Sequence, residues 1–275
     1  MNGLEAISGW PVTTVAAGWT QADDESTTSG PAGQSFPLAS VTKPLAAIAV
    51  LVAVEEGSMT LETPLGPSGA TVAHVLSHSS GLAPEAKGDG SALSGAGSRR
   101  IYSNHGYELL GEALEQATGI NMAAYVHEAV IEPLGLGNTV LRGSPAHGAY
   151  SSINDLLRVG RELLQPTLLA PETVRSATTP FLPELAGVLP GFGRHEPNPW
   201  GLGFEIRGTK QPHWTGTKNS PATFGHFGRA GTFLWVDPVA QVACAALTDR
   251  QFGPWAAQAW PTFSDQVLVA AQAEG

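Results

Sequence analysis

Phe36-Pro37-Leu38-Ala39-Ser40-Val41-Thr42-Lys43-Pro44 opens a run of ten apolar residues, Leu45 to Val54, that closes on Glu55-Glu56-Gly57. Pro37 favours extended chain before the run, and Pro44 is tolerated only in a first helical turn. The spacing therefore predicts a helix beginning near Ser40, with Gly57 as its C-terminal stop. The run is apolar almost all round, so the helix is buried. At about ten residues it is too short for the roughly twenty that a membrane span requires. Residues three apart share a helix face, which places Lys43 one turn above Ser40 and within reach of its hydroxyl. A cation leading into apolar sequence is costly without a partner. Free serine is a poor nucleophile at neutral pH and needs a nearby base and stabilisation of the oxyanion. A lysine held in a dry pocket, at a helix start whose dipole favours negative charge, supplies both needs.

Two further polar triplets follow in order. Tyr102-Ser103-Asn104 lies before Gly106-Tyr107-Glu108-Leu109-Leu110-Gly111. A phenol beside an ammonium group is either held as phenolate or shares its proton, and is then a base at neutral pH. The Asn104 amide has an acceptor for Lys43 and a donor for a substrate carbonyl. His226-Phe227-Gly228 lies on a predicted strand that leads into Thr232 to Val236 and, after the turn Asp237-Pro238, pairs with Gln241 to Leu247. Gly228 lets a substrate approach the strand edge, and His226 is a donor for a substrate carboxylate or carbonyl. Two look-alikes are set aside. Ser152-Ile153-Asn154 reads as a helix N-terminus before the periodic Leu156, Leu157 and Val159, and Trp214-Thr215-Gly216 reads as a loop.

The three triplets in this order resemble those of serine hydrolases of the β-lactamase and penicillin-binding protein superfamily, in the branch with class C β-lactamases, D-alanyl-D-alanine carboxypeptidases and related esterases. Leu76-Ser77-His78-Ser79-Ser80-Gly81-Leu82, Tyr102 to Gly111, Pro133 to Leu136, the Ser151–Leu156 segment and Trp200 to Phe204 extend the likeness across most of residues 10–250. The resemblance implies that Ser40 is acylated, that Lys43 is its proton partner and that Tyr102 is the general base or a phenol in the relay. It further implies that Asn104 is a positioner and that His226 with Gly228 forms the substrate-binding strand. The backbone N–H groups of Ser40 and Arg229 would form the oxyanion hole. His226 and Phe227 stand where β-lactamases usually carry lysine and threonine, which weakens the antibiotic-hydrolysing reading more than the hydrolase reading.

The chain has 275 residues, a net charge of −10, 33 glycines and 21 prolines. The acidic balance argues against nucleic acid or anionic membrane partners. Cys244, the single cysteine, lies in an apolar strand and reads as core. His74, His78 and His105 lack metal-ligand spacing, and no cofactor motif is present, so neither cofactor nor metal is expected. His78 is expected to order a loop. The opening Met1-Asn2-Gly3-Leu4-Glu5 has no signal-peptide pattern, which leads to a cytoplasmic expectation.

The fold expected is α/β: a strand near 12–19 and strands over 200–247 form one antiparallel sheet from both chain ends, flanked by helices. An acidic loop spans 21–33, a Gly/Ser-rich loop spans 88–97, and a last helix near 254–273 is interrupted by Pro261. The domains expected are 1–61 with 198–275 as the sheet lobe and 62–197 as an inserted helical lobe, with the active site between them. The function expected is hydrolysis of small esters or amides through an acyl-enzyme. β-Lactamase, D-alanyl-D-alanine carboxypeptidase or D-aminopeptidase activity, and a non-catalytic penicillin-binding-like protein, are the alternatives. The partner is a small-molecule ester, amide or β-lactam; oligomeric state is left open.

Overall fold

The computed structural model describes residues 2–22, 26–86 and 92–274. Its strands are β1 Val15–Gln21, β2 Thr27–Ser29, β3 Phe36–Pro37, β4 Val140–Leu141, β5 Ala149–Ser151, β6 Gly187–Leu189, β7 Gly193–His195, β8 Glu205–Ile206, β9 Phe224–Gly228, β10 Thr232–Asp237 and β11 Val242–Thr248. Its α-helices are α1 Thr42–Glu55, α2 Val72–Leu76, α3 Asn104–Thr118, α4 Met122–Val126, α5 Ile153–Leu164, α6 Pro171–Ala177 and α7 Pro254–Glu274. Six strands form one antiparallel sheet in the order β2-β1-β11-β10-β9-β8, so both ends of the chain do complete it. β2 lies inside the stretch expected to be loop, as a short edge strand on β1. Residues 23–25 of that stretch and 88–91 of the Gly/Ser-rich loop fall outside the described residues.

The central strands are apolar on both faces because both faces are covered. Phe233 and Trp235 of β10 and Cys244 and Ala246 of β11 pack on the side of Trp260, Phe263 and Val267 from α7. Leu234 and Val236, with Ala243, Ala245 and Leu247, face Leu156, Leu157 and Val159 of α5. Such strands read as continuous hydrophobic runs rather than alternating ones. The approach of α5 is close: a Cβ on Gly160 would stand 2.6 Å from Ala243 Cβ, and one on Gly18 would stand 2.8 Å from Leu157. Cys244 is fully buried, and burial pushes its thiol well above the usual range.

Packing does not follow the sequence boundaries at 62 and 197. α5, from within 62–197, lies on the sheet, whereas α1 packs among α3 and α4, and one apolar cluster runs through all of them. α7 also departs from expectation, because it continues through Pro261. Proline in a helix interior costs about 3 kcal/mol. Trp260 and Phe263, each fully buried against the sheet, hold the helix axis across it.

Candidate active site

Ser40 lies in a 3-10 turn, Ala39–Val41, that precedes α1; α1 itself begins at Thr42, two residues later than the sequence suggests. Ala39 has φ +46°, a left-handed conformation that is strained for a residue with a Cβ. The turn is pinned from three directions. Thr232 Oγ1 donates to Leu38 O (2.8 Å), Leu38 N donates to Ala149 O (2.9 Å), and Ala149 N donates to Thr42 Oγ1 (2.9 Å). Gly228 belongs to the same support, since a Cβ there would collide with the Leu38 carbonyl and stand 3.2 Å from Ala39 Cβ. Its bare face is therefore turned to the Ser40 turn, rather than kept free for a substrate.

Lys43 is completely buried. Its Nζ lies 2.7 Å from Asn104 Oδ1, 2.9 Å from Ala146 O and 3.4 Å from Ser40 Oγ. The rings of Tyr102 and Tyr107 lie 4.6 and 5.3 Å from it. Burial lowers its pKa to about 7, against smaller opposing effects from Glu85 and Glu108. Two N–H groups of the neutral amine stay on Asn104 and Ala146, which leaves the lone pair for Ser40. Glu85 enters through Asn104, whose Nδ2 donates to Glu85 Oε1 at 2.6 Å. The Asn104 oxygen is thus engaged by Lys43 and one of its two amide N–H groups by Glu85, while Asn104 also lines the cavity beside Ser40. Nothing in the sequence around Glu85 marked it.

Tyr102 meets the site from the loop before α3. Ser103 caps that helix by accepting from Gly106 N (3.0 Å) and donates to Ala83 O (2.6 Å). His78 orders this loop as expected: its Nδ1 accepts from Ser103 N (3.1 Å) and its carbonyl accepts from Ile101 N (2.9 Å). The His78 ring also stacks 4.4 Å from that of Tyr102. Of the two forms the sequence allows, phenolate or a phenol that shares its proton, the phenolate is not favoured. Burial pushes the Tyr102 phenol well above its ordinary value, and the opposing hydrogen bond with Ser40 is the smaller effect. At neutral pH Tyr102 is a phenol.

His226 also differs from expectation. Its Nδ1 lies 2.7 Å from Phe227 O, an acceptor, so Nδ1 carries the proton and Nε2 is the lone pair. Nε2 lies 3.4 Å from the Tyr102 hydroxyl, which donates to it. Burial, reinforced by Lys43, lowers the imidazole pKa to about 3. A neutral ring with its free nitrogen turned to Tyr102 is not a cationic anchor for a substrate carboxylate.

Ser40, Tyr102, Asn104, His226 and Arg229 share the wall of one cavity of about 410 Å³. The remaining wall is mostly apolar: Leu189 and Pro190 from the β6–β7 hairpin, with Trp200, Phe227 and Phe252. Trp200 belongs to a segment singled out in the sequence; Leu189, Pro190 and Phe252 do not. Glu205 also lines the cavity. Its carboxylate takes Lys210 Nζ, His213 Nε2 (3.0 Å) and Trp214 Nε1 (2.8 Å). Burial works to raise its pKa, but His213 and Lys210 outweigh that and hold it well below the usual carboxylate range. The look-alike triplets are excluded as read: Ser152 caps α5 by accepting from Asp155 N, and Trp214 lies in a loop.

The sequence profile of the beta-lactamase family matches residues 6–268. The chain belongs to the beta-lactamase family. A crystal structure of a β-lactamase from Mycobacterium bovis is 48% identical, with a TM-score of 0.95 over 98% of this chain and 99% of that one. A protein of Escherichia coli O157:H7, provisionally named a D-alanyl-D-alanine carboxypeptidase, is 26% identical over 216 residues, which cover 58% of this chain and 46% of that protein. The chain thus spans about half the length of that curated relative. A simvastatin synthase variant from Aspergillus terreus shares the fold with a TM-score of 0.80 at 16% identity, over 100% of this chain and 98% of that one. The family places the protein in the serine hydrolase superfamily, with the mixed α/β fold of the β-lactamases and penicillin-binding proteins.

Proposed function

We propose that this beta-lactamase family member is a serine hydrolase of the esterase type, forming an acyl-enzyme on Ser40. The observation that carries the reading is the Lys43 amine: fully buried, with a pKa of about 7 and Ser40 Oγ at 3.4 Å. An amine with that pKa has a large neutral fraction at pH 7 and takes a proton that an ordinary lysine would refuse. Ser40 Oγ attacks the substrate carbonyl carbon while its proton passes to Lys43. The oxyanion is received by the backbone N–H groups of Ser40 and Arg229. The leaving oxygen takes a proton from Tyr102, which is replenished from Lys43. Water then attacks the acyl-enzyme, gives its proton to the same relay and releases Ser40.

The ester preference rests on the cavity wall. It is mostly apolar, and the position that would pair with the carboxylate of a β-lactam holds a neutral His226 followed by Phe227. A charge-assisted hydrogen bond not made costs about 1.5–3 kcal/mol. The relatives' names keep β-lactam and D-alanyl-D-alanine hydrolysis as the competing reading. Comparison of kcat/KM for a short-chain nitrophenyl ester, a chromogenic cephalosporin and a D-alanyl-D-alanine peptide tests the choice. The ester is expected to lead; a tenfold advantage for either other substrate reverses it. Ser40→Ala should lose about 10³-fold or more in turnover and show no acyl adduct by intact mass. A variant that keeps wild-type turnover removes Ser40 as nucleophile.

A further inference from the structure

A second cavity, of about 360 Å³, adjoins the first. Its apolar lining includes Pro84, Leu93, Ile101 and Val188. Tyr102 and Pro190 line both cavities, so the two are neighbours that meet at those side chains. The β6–β7 hairpin forms the partition: Leu189 and Gly191 look onto the Ser40 cavity, and Val188 and Arg194 onto the second. Strand alternation explains the division, since successive side chains point to opposite faces. The partition is anchored at both ends. Arg100 N donates to Ala186 O at 2.9 Å, and the Phe192 ring packs 5.8 Å from Phe252 and 5.6 Å from Phe227.

Val188 is 56% exposed and Leu93 is 44% exposed. Large apolar side chains left in water beside a concave wall gain by being covered. The three arginines that line it already have partners: Arg99 donates to Leu93 O at 3.0 Å, Arg100 to the carbonyls of Asn198, Ser77 and Leu182, and Arg194 pairs with Glu196 at 3.3 Å. The recognition offered is thus chiefly apolar.

We infer that the second cavity is a subsite for the apolar leaving-group arm of an ester whose acyl arm occupies the Ser40 cavity. The inference rests on the acyl-enzyme reading above. A leaving oxygen must touch the group that protonates it. In that reading the group is Tyr102, the one polar side chain of the relay that lines both cavities. The substituent on that oxygen therefore runs past Tyr102 and Pro190 toward Val188 and Leu93, away from the acyl group that stays on Ser40.

Val188→Asp, with Leu93→Asp as an independent second wall variant, tests this on the full chain. The probes are ethyl acetate against octyl acetate, which vary the alcohol, and ethyl acetate against ethyl octanoate, which vary the acyl group. The kcat/KM ratio of octyl acetate to ethyl acetate should fall about tenfold in each variant, through KM. The ratio of ethyl octanoate to ethyl acetate should move by less than about twofold. Thermal denaturation reports whether each variant is folded. If both ratios fall together, or only the acyl ratio falls, the leaving-group assignment is overturned while the hydrolase reading stands. If the wild type hydrolyses no ester and takes no adduct on Ser40, the hydrolase reading falls, and this assignment with it.

Discussion

At neutral pH the Lys43 amine stands near its own pKa, because burial opposes the ammonium while Asn104, Ala146 and two tyrosine rings accommodate it. In the proposed mechanism acylation needs the neutral amine, so kcat/KM should rise with pH through about 7 and level above it. A pH–rate profile flat from 5.5 to 8.5 would remove Lys43 as proton acceptor. The same group makes stability depend on pH. Its ordinary value is 10.5 and its folded value about 7, so between these limits the unfolded chain binds more protons and stability rises with pH. Over the full window the gain is on the order of 5 kcal/mol. Denaturation midpoints of wild type and Lys43→Met at pH 7 and 9 should therefore diverge in favour of the wild type at the higher pH. Tyr102 and Lys43 act on the same proton in the proposed relay. Lys43→Ala and Tyr102→Phe should each cost a large factor, and the double variant little more than the worse single one. Multiplicative losses would place Tyr102 outside the relay.

The elements that carry these residues differ in how they are held. α1 is buried along twelve of its residues and fixes Lys43 without a helix cap. The Ser40 turn has a strained Ala39 and relies on neighbours in β9 and β10, Gly228 and Thr232, to keep its shape. α7 carries Pro261 in its interior, where the residue lacks the N–H that would reach the preceding turn. Pro261→Ala restores that donor, and its removal of a ring should raise stability by about 1 kcal/mol or more, read as a higher Tm with unchanged turnover. A lower Tm would mean that Pro261 is packed as a required part of the helix surface.

At the scale of the whole molecule, the buried cluster around Glu205 ties β8 to the loop that follows it. Glu205 is the counter-ion of Lys210 and accepts from His213 and Trp214. Glu205→Gln leaves the Lys210 ammonium buried without its charge partner, a loss of about 3–5 kcal/mol in stability. Chemical denaturation should show it, and a change below 1 kcal/mol would indicate that the region rearranges. Because the folded pKa of Glu205 is depressed, its stabilisation is present above the ordinary carboxylate pKa and is lost only as pH falls well below it. The variant's deficit should therefore shrink in strong acid.

Local order along the chain was enough to determine α1, the contact between Ser40 and Lys43, the hairpin of β10 and β11, the Ser152 cap and the burial of Cys244. Each depends on residues close in sequence or on an unbroken apolar run. Tertiary structure alone decided the protonation of the site. A free imidazole offers either nitrogen as donor or acceptor, but here the Phe227 carbonyl takes the His226 N–H, and burial with Lys43 holds the ring neutral, so it turns an acceptor to Tyr102. Desolvation likewise decides between the two forms the sequence left open for Tyr102, in favour of the phenol. Glu85, Glu205 and the Leu189–Gly191 edge of the hairpin reach the site across long sequence separations. A pKa and a cavity wall depend on which groups exclude water from a point in space, and that information is absent from any one segment of the chain.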